Sequence, residues 1–255
     1  MTDVREGRLP RWVAILLVSL AGLLLEVAYT RVISFKLWYY YTYLVIGLSL
    51  LGIGSGGIVV AIWAPIRRAS TDRIVALCSL WSAVSIAVGY AVIARLRLNT
   101  FAIWDYGSRA SLRNLAALGI ICFLLFAAFI GLGIILATLL GRAGRDLNRL
   151  YFADLVGAGA GCLLAIPLIV WLSPPQVIAA AALVFAVTGV LSLPRLRSTA
   201  GALGLVLAAV LALGVTSESR LPDITVEDTK LRTDGALFSG WGPVFRVDVP
   251  SWIRK

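Results

Sequence analysis

The sequence predicts an all-α protein: a polytopic bundle of six or seven transmembrane helices, followed by a short polar C-terminal tail that contains strand-like pieces. Three observations predict this fold class. The 255 residues are 60% hydrophobic and only 14% charged. Their mean hydropathy of +0.93 is far above that of ordinary soluble domains. The apolar residues form long runs, with nearly all Lys and Arg residues between the runs or in the tails.

Seven apolar segments approach the roughly twenty residues that a helix needs to cross about 30 Å of hydrocarbon. Charges and helix breakers such as APIRRASTDR and SPP separate these segments. The first segment has no A-x-A-like cleavage site, so we expect a retained span and not a signal peptide. The last two segments are short, which leaves the number of spans at six or seven. The segments cover approximately residues 12–33, 37–64, 74–94, 114–140, 150–172, 176–193 and 200–216.

The chain divides into a transmembrane domain, residues 1–216, and a polar tail, residues 217–255. Tail pieces such as ITVED and VFRVDV alternate in the way that strands do. A tail of this length is too short to bury a core of its own. We expect it either to pack on the membrane bundle or to begin a domain that is missing or separately encoded.

The charge pattern indicates a lipid bilayer as the main partner. The net charge is +10, but the basic residues occur in twos and threes at the ends of apolar segments, as topology signals do. We therefore expect no nucleic-acid partner. The sequence contains no histidine, which removes the commonest general base and metal ligand, so we predict no cofactor, no metal site and no catalytic residue.

The distribution of arginines favours a cytoplasmic N-terminus by the positive-inside rule. Seven spans would then place the polar tail outside, whereas six spans would keep it inside. The sequence does not decide between these two topologies.

The stretch LSLLGIGSGG, residues 48–57, contains glycines in the order G-x-G-x-x-G, which is the spacing of a dinucleotide-binding loop. Only seven residues separate Gly57 from Pro65, too few for the helix of a Rossmann unit. The apolar run also continues through the motif, so a phosphate site there would lie within lipid. We therefore reject dinucleotide binding for this motif.

Helix packing explains these glycines better. Gly52 and Gly56 are four residues apart, so they share one helix face and allow a second membrane helix to approach closely. The fifth segment repeats the spacing at Gly157 and Gly161. These four glycines are the predicted packing positions.

Three polar residues are candidates for an intramembrane site: Glu26, Arg31 and Asp154. A charge at such depth costs about 2.5 to 3.5 kcal/mol on insertion scales, so Glu26 needs a partner. Arg31 lies about 140° around the helix from Glu26. Thr30 is therefore the better local contact, and a partner on another helix is expected to be more important.

Asp154 is expected in about the first turn of the fifth helix, where the helix dipole favours a carboxylate. Arg149 or an arginine of another loop could pair with it there. Both carboxylates have two interpretations: an interhelical ion pair or cap, or a role in handling protons, cations or basic amines.

Three stretches carry a resemblance to a known family: LLLEVAYTRVISFKLWYYYTYLVIGLSLLGIGSGG, LNRLYFADLVGAGAGCLLAIPLI and LFSGWGPVFRVDV. In order and spacing they resemble bacterial membrane proteins related to spermidine synthases. In that family a multi-helix membrane region precedes an aminopropyltransferase-like Rossmann domain. The resemblance implies a multi-pass protein of the bacterial inner (plasma) membrane. The sequence ends at Lys255, where the Rossmann domain would begin, so no catalytic position of the family can be carried over.

The resemblance implies an anchor or partner for an aminopropyltransferase-like module, which would not catalyse aminopropyl transfer by itself. The expected protein partner is a synthase-like nucleotide-binding protein or another membrane subunit. The alternative is a transporter or channel-like protein for a small organic cation such as a polyamine, with Glu26 as its intramembrane charge. A third possibility is a structural subunit that docks a membrane protein on its glycine faces.

Overall fold

The computed structural model describes residues 9–194, 198–226, 236–242 and 246–250. These ranges contain eight α-helices and one two-stranded antiparallel sheet. Seven of the helices are long and apolar enough to cross a membrane, which fits a multi-pass membrane protein. The predicted all-α fold class is confirmed, and the helix count is seven candidate spans plus the short helix α3. The elements are α1 Arg11–Lys36, α2 Thr42–Ile62, α3 Ala64–Arg68, α4 Thr71–Arg95, α5 Arg109–Gly141, α6 Leu147–Trp171, α7 Pro174–Ser192, α8 Thr199–Thr216, β1 Ala236–Trp241 and β2 Arg246–Pro250.

Local sequence explains several helix starts. The hydroxyl of Ser108 accepts a hydrogen bond from the backbone N–H of Ser111 at the start of α5. Helix α7 begins with a capping box between Ser173 and Gln176, followed by two prolines in its first turn, where proline costs no hydrogen bond. These signals fix the residues at which α5 and α7 begin.

One helix boundary and one predicted strand differ from the sequence prediction. The segment predicted from residue 37 begins as α2 only at Thr42, after a 3-10 turn over Tyr39–Tyr41. The described part of ITVED is not a strand: the backbone N–H of Thr225 donates to the carbonyl oxygen of Ala94 over 2.8 Å. The extended segment is therefore bound to the end of α4 and does not pair with another strand there.

The central helices of the bundle are α1, α4, α5 and α7, of which half or more is buried. Helices α2, α6 and α8 pack on α5, α1 and α7 respectively and are mostly exposed. Their outer faces carry large apolar side chains such as Leu50, Leu163 and Leu203. These three helices therefore present the surface that suits contact with lipid tails.

Seven alternating spans place the N-terminus and the polar tail at opposite ends of the bundle. We call the end that contains Lys36, Arg95 and Thr216, the last residues of α1, α4 and α8, the tail end. At the other end, Arg142 donates hydrogen bonds to the carbonyl oxygens of Ala69 and Ile66 over 2.7 and 2.9 Å. This arginine holds the short α3 segment against the end of α5.

Candidate functional site

Gly157 and Gly161 lie where α6 packs on α1. A Cβ atom at Gly157 would overlap the backbone oxygen of Leu16, and one at Gly161 would lie 2.6 Å from the backbone oxygen of Leu20. Higher-numbered residues of α6 face higher-numbered residues of α1, so the two helices run parallel. The glycines allow the two backbones to touch, which no larger residue would permit.

Gly52 and Gly56 lie where α2 packs on α5. A Cβ atom at Gly56 would lie 2.6 Å from the carbonyl carbon of Gly133, and one at Gly52 would lie 2.9 Å from the backbone oxygen of Phe126. Gly133 was not predicted as a packing position, although it meets the backbone of Ile53 in return. Helices of the same chain therefore occupy both glycine faces, and another membrane protein could dock there only by displacing α1 or α5.

Asp154 has a different position and partner from those predicted. It is the eighth residue of α6, which begins at Leu147, so it lies two turns inside the helix and not in the first turn. The hydroxyl of Ser19 on α1 donates a hydrogen bond to its carboxylate. Arg149 instead stacks over the ring of Trp12, 5.4 Å from the ring centre. The five-residue spacing explains this, because it turns Arg149 about 140° away from Asp154.

Glu26 is half-buried near the middle of α1. Ser49 on α2 lies beside its carboxyl group, while the Ser49 hydroxyl donates to the backbone oxygen of Ile46 over 2.9 Å. The local candidate, Thr30, donates its hydroxyl to the backbone oxygen of Val27 over 2.6 Å and so makes its contact elsewhere. The Glu26 carboxyl group therefore faces α2 within the membrane-spanning part of the bundle.

The two candidate carboxylates, Asp154 and Glu26, do not contact the same residue. Ser19, which binds Asp154, lies seven residues before Glu26 on α1, a distance of about 10 Å along the helix axis. Arg31 is half-buried one and a half turns beyond Glu26. The three candidates are therefore spread along α1 and its neighbours and do not form one compact cluster.

Lys36 is the most buried charged residue that the structure describes, with 1% of its surface exposed. Its ammonium group donates hydrogen bonds to the backbone oxygen and the hydroxyl of Thr225, over 2.7 and 3.0 Å. A third acceptor, the backbone oxygen of Ala94, lies at 3.4 Å. Because Ala94 lies in the last turn of α4, the negative end of that helix dipole also favours the cation.

Sequence reasoning missed Lys36 because a lysine at the end of an apolar run normally extends its ammonium group to water.

The hydroxyl of Tyr90 adds a second attachment of the tail, a hydrogen bond of 2.7 Å to the backbone oxygen of Pro222. We call Lys36, Tyr90, Ala94, Pro222 and Thr225 the tail clamp. The clamp binds the segment after α8 to the ends of α1 and α4.

The hairpin of β1 and β2 is attached beside the tail clamp. The ring of Trp241 packs edge-on against Phe35 of α1 with ring centres 5.0 Å apart, and its indole N–H donates to Glu218 over 3.2 Å. The guanidinium of Arg246 lies 5.1 Å from the ring centre of Phe35 and pairs with Asp248 over 2.9 Å. The hairpin is thus held at a defined place on the tail end.

A cleft of about 340 Å³ lies between α4, α7 and α8. Its walls are mainly apolar, and Leu221 and Pro222 of the clamped segment help to close it. Tyr90 and Arg220 also line the cleft, but the Tyr90 hydroxyl already donates to Pro222. The cleft can therefore accept an apolar group, with Arg220 as a charged residue in its lining.

The described ranges contain no group of three or more His, Cys, Asp or Glu side chains that could hold a metal ion. The fold and the clamp define a class: a multi-pass membrane protein whose polar tail is docked on one end of its helical bundle. Comparison with protein-family models, curated proteins and solved structures finds no match for this chain. The resemblance to spermidine synthase-like membrane proteins stays a prediction.

Proposed function

We propose that this chain is a membrane anchor that holds a soluble aminopropyltransferase-like module at the tail end of the bundle and is not catalytic by itself. The tail clamp is the observation that supports this function. The clamp holds the described part of the tail at a fixed place through the buried ammonium group of Lys36, and an anchor for an attached module needs such a fixed attachment. In the proposal, the membrane is the bacterial inner membrane.

The hairpin supplies a surface that suits a protein partner. The paired residues Phe238 and Val249 lie on one face with Val247, and all three are exposed. Trp241 and Arg246 hold the hairpin to Phe35, so this apolar face is presented in a fixed orientation. Exposed apolar side chains next to polar ones are typical of surfaces that bind another protein.

Photo-crosslinking in intact cells tests the anchor function. A photoreactive amino acid at Phe238 should capture a protein with a synthase-like nucleotide-binding fold, identified by mass spectrometry. The matched control places the same residue at Leu163, which is highly exposed on α6 and is expected to capture lipid. The anchor function requires a cytoplasmic tail, which with seven spans places the N-terminus outside, against the arginine distribution. It therefore predicts that a Ser219→Cys variant is protected from a membrane-impermeant thiol reagent. A labelled tail with no synthase-like adduct at Phe238 would contradict the anchor function.

Polyamine transport is a second candidate function, supported by the half-buried carboxyl group of Glu26 near the middle of α1. If Glu26 recognises an organic cation, Glu26→Gln should reduce spermidine uptake into proteoliposomes by about tenfold or more, since about 1.4 kcal/mol of lost recognition has that effect. Asp105→Asn is the control, because Asp105 is an exposed loop carboxylate. Uptake that Glu26→Gln leaves unchanged would exclude this function.

A further inference from the structure

A groove lies at the tail end between the loop after α4 and the first part of α5. Its volume is about 750 Å³, and its lining includes Arg97, Asn99, Arg113 and Ile120. It adjoins the tail clamp at Leu96, whose backbone oxygen accepts a hydrogen bond from the hydroxyl of Thr225 over 3.5 Å. Neither the anchor function nor the transport function uses it.

Hydrogen bonds hold one wall of this groove in place. The buried side chain of Asn114 accepts a hydrogen bond from the backbone N–H of Asn99 over 2.9 Å and donates to the backbone oxygen of Ala110 over 2.8 Å. The side chain of Asn99 in turn accepts from the backbone N–H of Ala102 over 3.1 Å. The loop is therefore shaped before any ligand arrives, which lowers the entropic cost of binding.

The groove is positively charged. Arg97 comes from the loop and Arg113 from α5, and both are exposed. Within the described ranges, neither guanidinium has an ion pair or hydrogen bond, and no acidic side chain lines the groove. Two arginines that face one groove suit a phosphate group, which each can bind with two parallel hydrogen bonds.

The length of α5 matches a position of Arg113 at the depth of lipid headgroups. The 29 residue steps from Arg113 to Arg142 correspond to about 43 Å of helix, close to the thickness of about 40–45 Å of a bilayer with its headgroup regions. Further into the membrane, the groove is lined by Ala116, Ala117 and Ile120. A ligand in this groove would contact the two arginines at the membrane surface and apolar side chains closer to the membrane centre.

We propose that this groove binds one anionic phospholipid, with its phosphate between Arg97 and Arg113 and an acyl chain along α5 from Ala116 to Ile120. The observations that carry this inference are the two arginines that line one groove, the hydrogen-bonded loop and the apolar wall below them.

Lipid titration of the purified full chain in mild detergent, followed by native mass spectrometry, tests the proposal. The protein should retain phosphatidylglycerol in preference to phosphatidylcholine. The double variant Arg97→Gln/Arg113→Gln should bind phosphatidylglycerol about thirtyfold more weakly. The control Arg68→Gln/Arg145→Gln loses the same charge from exposed positions at the opposite end and should bind like the parent chain.

A lysine double variant and competition with inorganic phosphate test the proposal further. Arg97→Lys/Arg113→Lys preserves the charge and removes the paired hydrogen bonds, so it should bind with intermediate strength even if the glutamine variant folds poorly. Millimolar inorganic phosphate should not displace the lipid, because it lacks an acyl chain. Displacement by phosphate would identify a free-phosphate site and overturn the proposal. Equal binding of the two lipids, or equal weakening in the control, would also overturn it.

Discussion

A Gly157→Leu variant is expected to lose the packing of α6 on α1 and to be recovered in much lower yield as a folded protein. A Cβ atom at this position would overlap the backbone oxygen of Leu16, and a backbone cannot move aside as a flexible side chain does. Overpacking a well-packed contact typically costs about 1–3 kcal/mol and occasionally more. We expect at least about 3 kcal/mol here, because α1 is a central helix and would have to shift.

The measurement is the thermal stability and the monodisperse yield of the detergent-purified chain. Gly159→Leu is the matched control: it lies on the same helix, is exposed, and a Cβ there meets nothing within 4 Å. Both changes raise helix propensity equally, so only the contact with α1 distinguishes them. Equal stability of the two variants would show that the α1–α6 contact is not as close as described.

A Lys36→Met variant is expected to release the tail clamp while the membrane helices stay folded. Methionine keeps a similar length but removes the hydrogen bonds to Thr225, and hydrogen bonds to a charged group contribute about 1.5–3 kcal/mol. The protection of amides in residues 217–226 against hydrogen exchange should fall by about tenfold or more, because about 1.4 kcal/mol corresponds to tenfold. Crosslinking from Phe238 should fall with it, since the hairpin is attached beside the clamp.

Arg95→Met is the control for this prediction, because Arg95 is exposed at the same end of the bundle and its loss changes the net charge equally. If the amides of residues 217–226 exchange equally fast in both variants, the loss of one positive charge explains the effect. The buried ammonium group of Lys36 would then not hold the tail. If Lys36→Met instead unfolds the whole bundle, the lysine stabilises the helices themselves and not only the tail.

Some features of this protein depend on a single segment of the chain, and others depend on how distant segments pack. The apolar runs alone predicted the membrane helices, because crossing a bilayer is a requirement on length and hydropathy that each segment meets by itself. The four-residue spacing of Gly52 and Gly56, and of Gly157 and Gly161, likewise marks one face of a helix without reference to the rest of the chain. The last two segments, residues 176–193 and 200–216, were the exception, since their short length left six or seven spans open.

Only the tertiary structure decided which groups meet. Lys36 and Thr225 are 189 positions apart in the chain, and Ser19 and Asp154 are 135 positions apart. Periodicity describes the face of one helix, whereas these pairs depend on how distant helices pack. For this reason sequence reasoning missed Lys36 and offered Arg149 or an arginine of another loop as the partner of Asp154. Packing buries the lysine under the tail and turns the aspartate toward α1.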